Sequence, residues 1–234
     1  MPYRRLPNTD QARLRALKTA QSKGAQISPL ELAFSQKLLF EVKVFVPQFE
    51  QAIRQYQFSK ERQSKFGKLL SEHFRIARMY LSHFLQVVNM AIARGELKPN
   101  VRTFYGLNET DKNLPEINTE QQLIHWGEKV IQGEEKRMGQ GGSRVFNPTI
   151  AMVKVHFEKF LENYNIHKDL VKTSQKMQKK VAAEREIADS LIVKIWNEVE
   201  AFFGDLEPDQ KREKASEYGV VYIYRPSEIT KKNN

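Results

Sequence analysis

Cysteine is absent from the 234 residues. That removes disulfides, thiolate zinc sites, iron–sulfur clusters and cysteine nucleophiles at once. No stretch approaches the roughly 18 uninterrupted apolar residues of a membrane span. Met1-Pro2-Tyr3-Arg4-Arg5-Leu6-Pro7 is not followed by the apolar core of a signal peptide. The expectation is a soluble, cytoplasmic protein with no membrane association. Catalytic signatures are missing too. The residues three before His73, His83, His125, His156 and His167 are not acidic, so the Glu-x-x-His pairs of di-iron bundles do not occur. Neither His-Glu-x-x-His nor Gly-x-Ser-x-Gly is present. Gly139-Gln140-Gly141-Gly142-Ser143-Arg144 lacks the lysine-serine ending of a phosphate loop and reads as an inter-helix linker. Glu134-Glu135 reads as an exposed, charged helix end. No catalytic residue, metal or cofactor is expected.

What is present is a recurrence. Asn8-Thr9-Asp10-Gln11 returns as Asn118-Thr119-Glu120-Gln121, and Gly95-Glu96-Leu97-Lys98-Pro99 as Gly204-Asp205-Leu206-Glu207-Pro208. Ser28-Pro29 is answered by Asn147-Pro148, and Tyr105-Gly106-Leu107 by Tyr218-Gly219-Val220. The markers keep their order. Such a period is too long for a solenoid repeat. It predicts an internal duplication, two related halves (1–110 and 111–234) packed as one globular body about a pseudo-twofold axis.

Each half reads as a short helix, two longer helices and an extended tail. Asn8 or Thr9 can cap a first helix running to Lys23, with Gly24 as its stop. Ser28-Pro29-Leu30-Glu31 has the grammar of a second helix start, and Pro47 should kink or split that helix. The clearest helix runs from about Ser59 to Arg94. Phe66, Leu70, Phe74, Ala77, Leu81, Phe84, Leu85 and Val88 line one wide face, and Gly95 closes it. In the second half, Thr119 with Gln122 forms a capping box, and Asn147-Pro148 opens the next helix. The stretch Lys172 to Arg185, poor in large apolar residues, is expected to fray or project into solvent. Arg102-Thr103-Phe104-Tyr105 and the segment 219–224 look extended. The matching segment of the first half, or a partner protein, would pair with 219–224. Thr230 to Asn234 reads as a disordered tail. The predicted fold is all-α, a helical bundle of two tandem related three-helix units with at most a short β segment near 219–224.

Charge is uneven. The net charge is +10, and residues 1–110 hold 18 Lys and Arg against 8 Asp and Glu, so the excess lies in the first half. Arg4, Arg5, Arg13, Arg15, Lys18, Arg62, Lys65, Lys68, Arg75 and Arg78 could neutralise phosphates without reading sequence. Glu61 and Glu72 intersperse them, as on an ordinary solvated face. No nucleic-acid-binding motif accompanies them. Phe104, Tyr105, Tyr218, Tyr222 and Tyr224 are candidates for a protein interface.

The run from Tyr105-Gly106-Leu107 through Leu123-Ile124-His125-Trp126-Gly127-Glu128-Lys129-Val130-Ile131-Gln132-Gly133-Glu134 to Asn147-Pro148-Thr149-Ile150-Ala151 resembles an uncharacterised family of helical bacterial proteins. Tyr3-Arg4-Arg5-Leu6-Pro7-Asn8-Thr9-Asp10 fits the same likeness. The resemblance implies an all-helical fold and carries no functional residue. The reading is therefore a non-enzymatic structural or protein-interaction module, self-associating or binding a protein partner. The alternative is sequence-independent binding of nucleic acid by the first half. The third reading is an enzyme with a pocket between the two halves, lined by His73, Tyr80 or Trp126.

Overall fold

The computed structural model describes residues 2–110 and 113–224, so the tail at Thr230 to Asn234 lies outside the described residues. The fold is all-α with one small ribbon. Strand β1 (Tyr3–Arg4) is followed by α1 (Asp10–Gln26), α2 (Gln36–Ala93) and a 3-10 helix (Pro99–Tyr105). Then come α3 (Glu120–Gly139), α4 (Ile150–Phe202), α5 (Pro208–Ser216) and β2 (Tyr222–Ile223). Among the described residues no helix is long and apolar enough to cross a membrane.

Local signals set several boundaries where the sequence places them. The Thr9 hydroxyl accepts the Ala12 N–H at 3.2 Å, and Asp10 sits in the favourable first turn. Thr119 and Gln122 exchange the two bonds of a capping box. Gly95 ends α2 in the left-handed region, at φ 76°, and the Glu96 N–H reaches back to the Ala91 carbonyl at 3.0 Å.

Elsewhere tertiary structure overrides the local grammar. Gly24 lies inside α1 rather than ending it. A Cβ there would stand 2.8 Å from Leu39 Cδ2, so the glycine permits close packing. Ser28-Pro29-Leu30-Glu31 forms a turn, closed by the Glu31 N–H on the Ser28 carbonyl, and Leu30 is 94 % exposed. Helix α2 starts at Gln36 because Glu198, on α4, accepts the Ser35 N–H at 2.6 Å. Pro47 does not split this helix. It is exposed, so the Lys43 carbonyl it deprives of a donor is on the wet side, while Phe45, Val46 and Phe49 keep the buried face filled. The two longer helices expected in the first half are thus one helix of 58 residues.

The second half behaves alike. The stretch Lys172 to Arg185 neither frays nor projects; it is the middle of a 53-residue helix. Its sparse apolar residues are well placed, for Val181 is fully buried and Ser174 nearly so. Arg102 to Tyr105 is 3-10 helix, not extended chain. The β segment shrinks to Tyr222–Ile223, and its partner is neither that segment nor another protein. It pairs antiparallel with β1, Tyr3 opposite Ile223 and Arg4 opposite Tyr222.

Two compact units result, and each draws on both sequence halves. One comprises residues 1–60 and 173–234, the other 61–172. The core of the first joins Leu14 and Leu17 of α1, Val42, Phe45 and Phe49 of α2, and Val181, Ile192, Ile195, Trp196 and Val199 of α4. The core of the second joins Leu81, Phe84 and Val88 of α2, Tyr105, Leu123 and Val130, and Val153, Phe157 and Phe160 of α4.

Some paired markers share a conformation. Gly106 and Gly219 both have positive φ, 70° and 90°. Each is followed by a residue whose N–H reaches back five positions, Leu107 to Arg102 and Val220 to Ala215. Tyr105 and Tyr218, just before them, are both buried. The Asn147–Pro148 bond is cis.

Candidate functional site

The ten basic candidates separate according to what holds them. Arg13 places Nε and Nη2 on the Asp189 carboxylate at 2.8 and 2.9 Å. Lys18 is tied to Glu50, and that bond holds the Glu50 carboxyl below its usual range. Arg4 Nη1 donates to Asn197 Oδ1 at 2.8 Å and to Glu200 Oε2 at 3.0 Å, with its guanidinium over the Trp196 ring. Arg185, unnoticed in the sequence, completes this set with a two-pronged bond to Asp10.

Arg5 and Arg15 are left. Neither has an ion pair among the described residues, both are exposed, and both line one cavity of about 380 Å³. The ribbon explains how Arg5 arrives there. Opposed residues of an antiparallel pair share a face, and neighbours along a strand take opposite faces. The pair Arg4 and Tyr222 turns toward α4, where the Tyr222 hydroxyl donates to Glu200 Oε1 at 2.6 Å. Burial, and then Glu200, push that hydroxyl's pKa up. Arg5, whose N–H bonds the Val221 carbonyl at 2.9 Å, turns the other way with Val221 and Ile223. Helix α1 supplies the facing wall, Ala12, Arg15, Ala16 and Thr19. Gly219 approaches that wall with its positive φ, and a Cβ there would meet the Ala16 carbonyl at 3.2 Å. Leu6, Pro7, Asn8 and Trp196 complete the lining of the cavity. The arrangement is two guanidinium groups, with no ion pair among the described residues, beside apolar surface. It suits an anion with an apolar body.

No protein-family model, no curated protein and no solved structure matches the chain.

The remaining basic candidates belong to the unit of residues 61–172. Arg62, Lys65, Lys68, Arg75 and Arg78 are exposed along α2, and Arg78 donates to Asn118 Oδ1 at 3.2 Å. Among the aromatic candidates, Tyr105 and Tyr218 are core residues and Phe104 packs partly buried against the second core. Tyr222 and Tyr224 are half-buried. Tyr80 stacks on His156 at 4.1 Å, and Trp126 packs against the second core.

Glu134 corrects the sequence reading most sharply. It is not an exposed helix end but 1 % exposed. Its Oε2 accepts the Tyr105 hydroxyl and Arg137 Nε, both at 2.6 Å, and its Oε1 accepts Arg137 Nη2 at 2.7 Å. Arg137 also donates to the Ser143 carbonyl at 2.5 Å. Burial, and then the Glu134 hydrogen bond, raise the Tyr105 pKa. The cluster ties the 3-10 helix, α3 and the following loop together. The i,i+3 spacing of Glu134 and Arg137 was the available signal, but only the fold shows that the pair is buried.

Proposed function

We propose that the protein is a non-enzymatic interaction module that takes an acidic, apolar-bearing segment of a partner protein in the Arg5–Arg15 groove. One observation carries the reading: of the five cations in residues 1–18, the two with no ion pair among the described residues line the same cavity. Unneutralised arginine prefers carboxylate or phosphate. Leu6, Val221 and Ile223 beside it favour a ligand with side chains to bury. The test is a titration with a synthetic peptide of alternating Glu and Leu, followed by fluorescence of Trp196 in a Trp126→Phe background. Saturable binding that weakens about tenfold in Arg5→Ala and again in Arg15→Ala is the expected result; tenfold corresponds to about 1.4 kcal/mol. Equal binding by a Lys–Leu peptide, or indifference to both substitutions, overturns the reading.

A second reading rests on Lys65, Lys68 and Arg75, which are exposed with no ion pair among the described residues. It is sequence-independent contact with nucleic acid. Filter binding near 50 mM salt tests it. Retention that falls steeply with added salt, and that drops when the three are changed to Gln, supports it; no retention removes it.

A further inference from the structure

We infer that Glu200 is the positioning residue of the groove, the latch that turns Arg5 toward the ligand. This inference rests on the acidic-segment reading above. Each strand of the ribbon has only two residues, too few to hold its own geometry in water. Arg4 also holds Asn197 and lies over Trp196, but the contact common to both strands is one carboxylate. Glu200 Oε2 takes Arg4 of β1 and Oε1 takes Tyr222 of β2, at 3.0 and 2.6 Å, so one side chain on α4 clamps both strands. Because strand neighbours take opposite faces, holding Arg4 against α4 obliges Arg5 to face the groove. The same clamp keeps Trp196, which is 1 % exposed, beneath Arg4. Releasing Glu200 removes the one contact the two strands share and leaves Arg4 only its hydrogen bond to Asn197. Arg5 then loses its orientation and Trp196 loses its cover, while Arg15 stays fixed on α1.

The test is a double-mutant cycle on peptide affinity together with quenching of Trp196 by acrylamide, in the Trp126→Phe background. Glu200→Ala weakens the Glu–Leu peptide about tenfold. Adding Arg5→Ala to it costs no more than about a further twofold, whereas adding Arg15→Ala costs its full tenfold; residues that act through one another fail to add. A general loss of structure would not separate the two arginines. Full additivity of Arg5→Ala with Glu200→Ala overturns the inference. The quenching arm needs no ligand. The quenching constant of Trp196 rises at least about twofold in Glu200→Ala and by a smaller step in Tyr222→Phe, and an unchanged constant in Glu200→Ala overturns the inference. If the unmodified protein takes no peptide, the acidic-segment reading falls, and the quenching result alone decides the latch.

Discussion

Single residues differ here chiefly in whether their charge can be solvated. Glu134 and Arg137 are both nearly inaccessible and neutralise one another. Removing one partner of a buried pair strands the other, at a cost of about 3–5 kcal/mol. Glu134→Gln therefore lowers stability in urea by about 3 kcal/mol or more. The Arg94–Glu96 pair, two-pronged at 2.5 and 2.9 Å but exposed, yields no measurable loss when cut. His156 supplies a pH effect. Burial, then the charges of Lys159 and His73, hold its pKa below the ordinary 6.5. The unfolded chain thus takes up that proton before the folded one does. Stability is unaffected above about pH 6.5, declines as the pH falls through it, and levels off below the folded pKa. Urea midpoints from pH 8 to 5 should show this decline, and His156→Gln should flatten it. Glu50 and Glu217 have lowered pKa values, so their contribution fades separately, as the pH falls below the usual carboxylate value of 4.5.

At the scale of elements, the helices are governed by close approaches as much as by propensity. A Cβ on Gly133 would come within 2.7 Å of the Phe104 carbonyl carbon. Alanine normally favours a helix interior by up to about 1 kcal/mol, yet Gly133→Ala has to push backbone against backbone. The expected outcome is a net loss of roughly 2 kcal/mol, read as a lower urea midpoint. Pro47→Ala goes the other way. It restores a donor for the Lys43 carbonyl in α2 and gains about 1–2 kcal/mol after the looser unfolded chain is allowed for.

The contrast shows what was legible in the sequence. Thr9, Thr119 with Gln122, and Gly95 act within a few residues of themselves, so their roles could be read directly. The start of α2 could not be read, because its cap is Glu198, 163 residues away. The groove was half legible for the same reason. The cations were visible. Which of them stay unneutralised depends on Glu200, 196 residues from Arg4, and Asp189, 176 from Arg13.

At the scale of the molecule, the two compact units meet in sequence inside helices, between 60 and 61 in α2 and between 172 and 173 in α4. A helix broken at such a point would leave eight backbone groups without partners, so the units are expected to unfold together. Trp196 and Trp126, one in each unit, should report coincident urea transitions. Phe84→Ala, a truncation in the second core worth about 3–5 kcal/mol, should shift both by the same amount. Separate midpoints would show the units to be independent.

The composite make-up of the first unit bears on assembly at the ribosome. Residues 61–172 emerge as one contiguous block that already contains every helical segment of its own core. The opening sixty residues have to wait until position 173 and beyond have been translated, roughly ten seconds at ordinary elongation rates. Throughout that interval Val42, Phe45 and Phe49 stand without the α4 partners they will finally have. Nascent chains stalled short of residue 173 are the form of this molecule most in need of a chaperone.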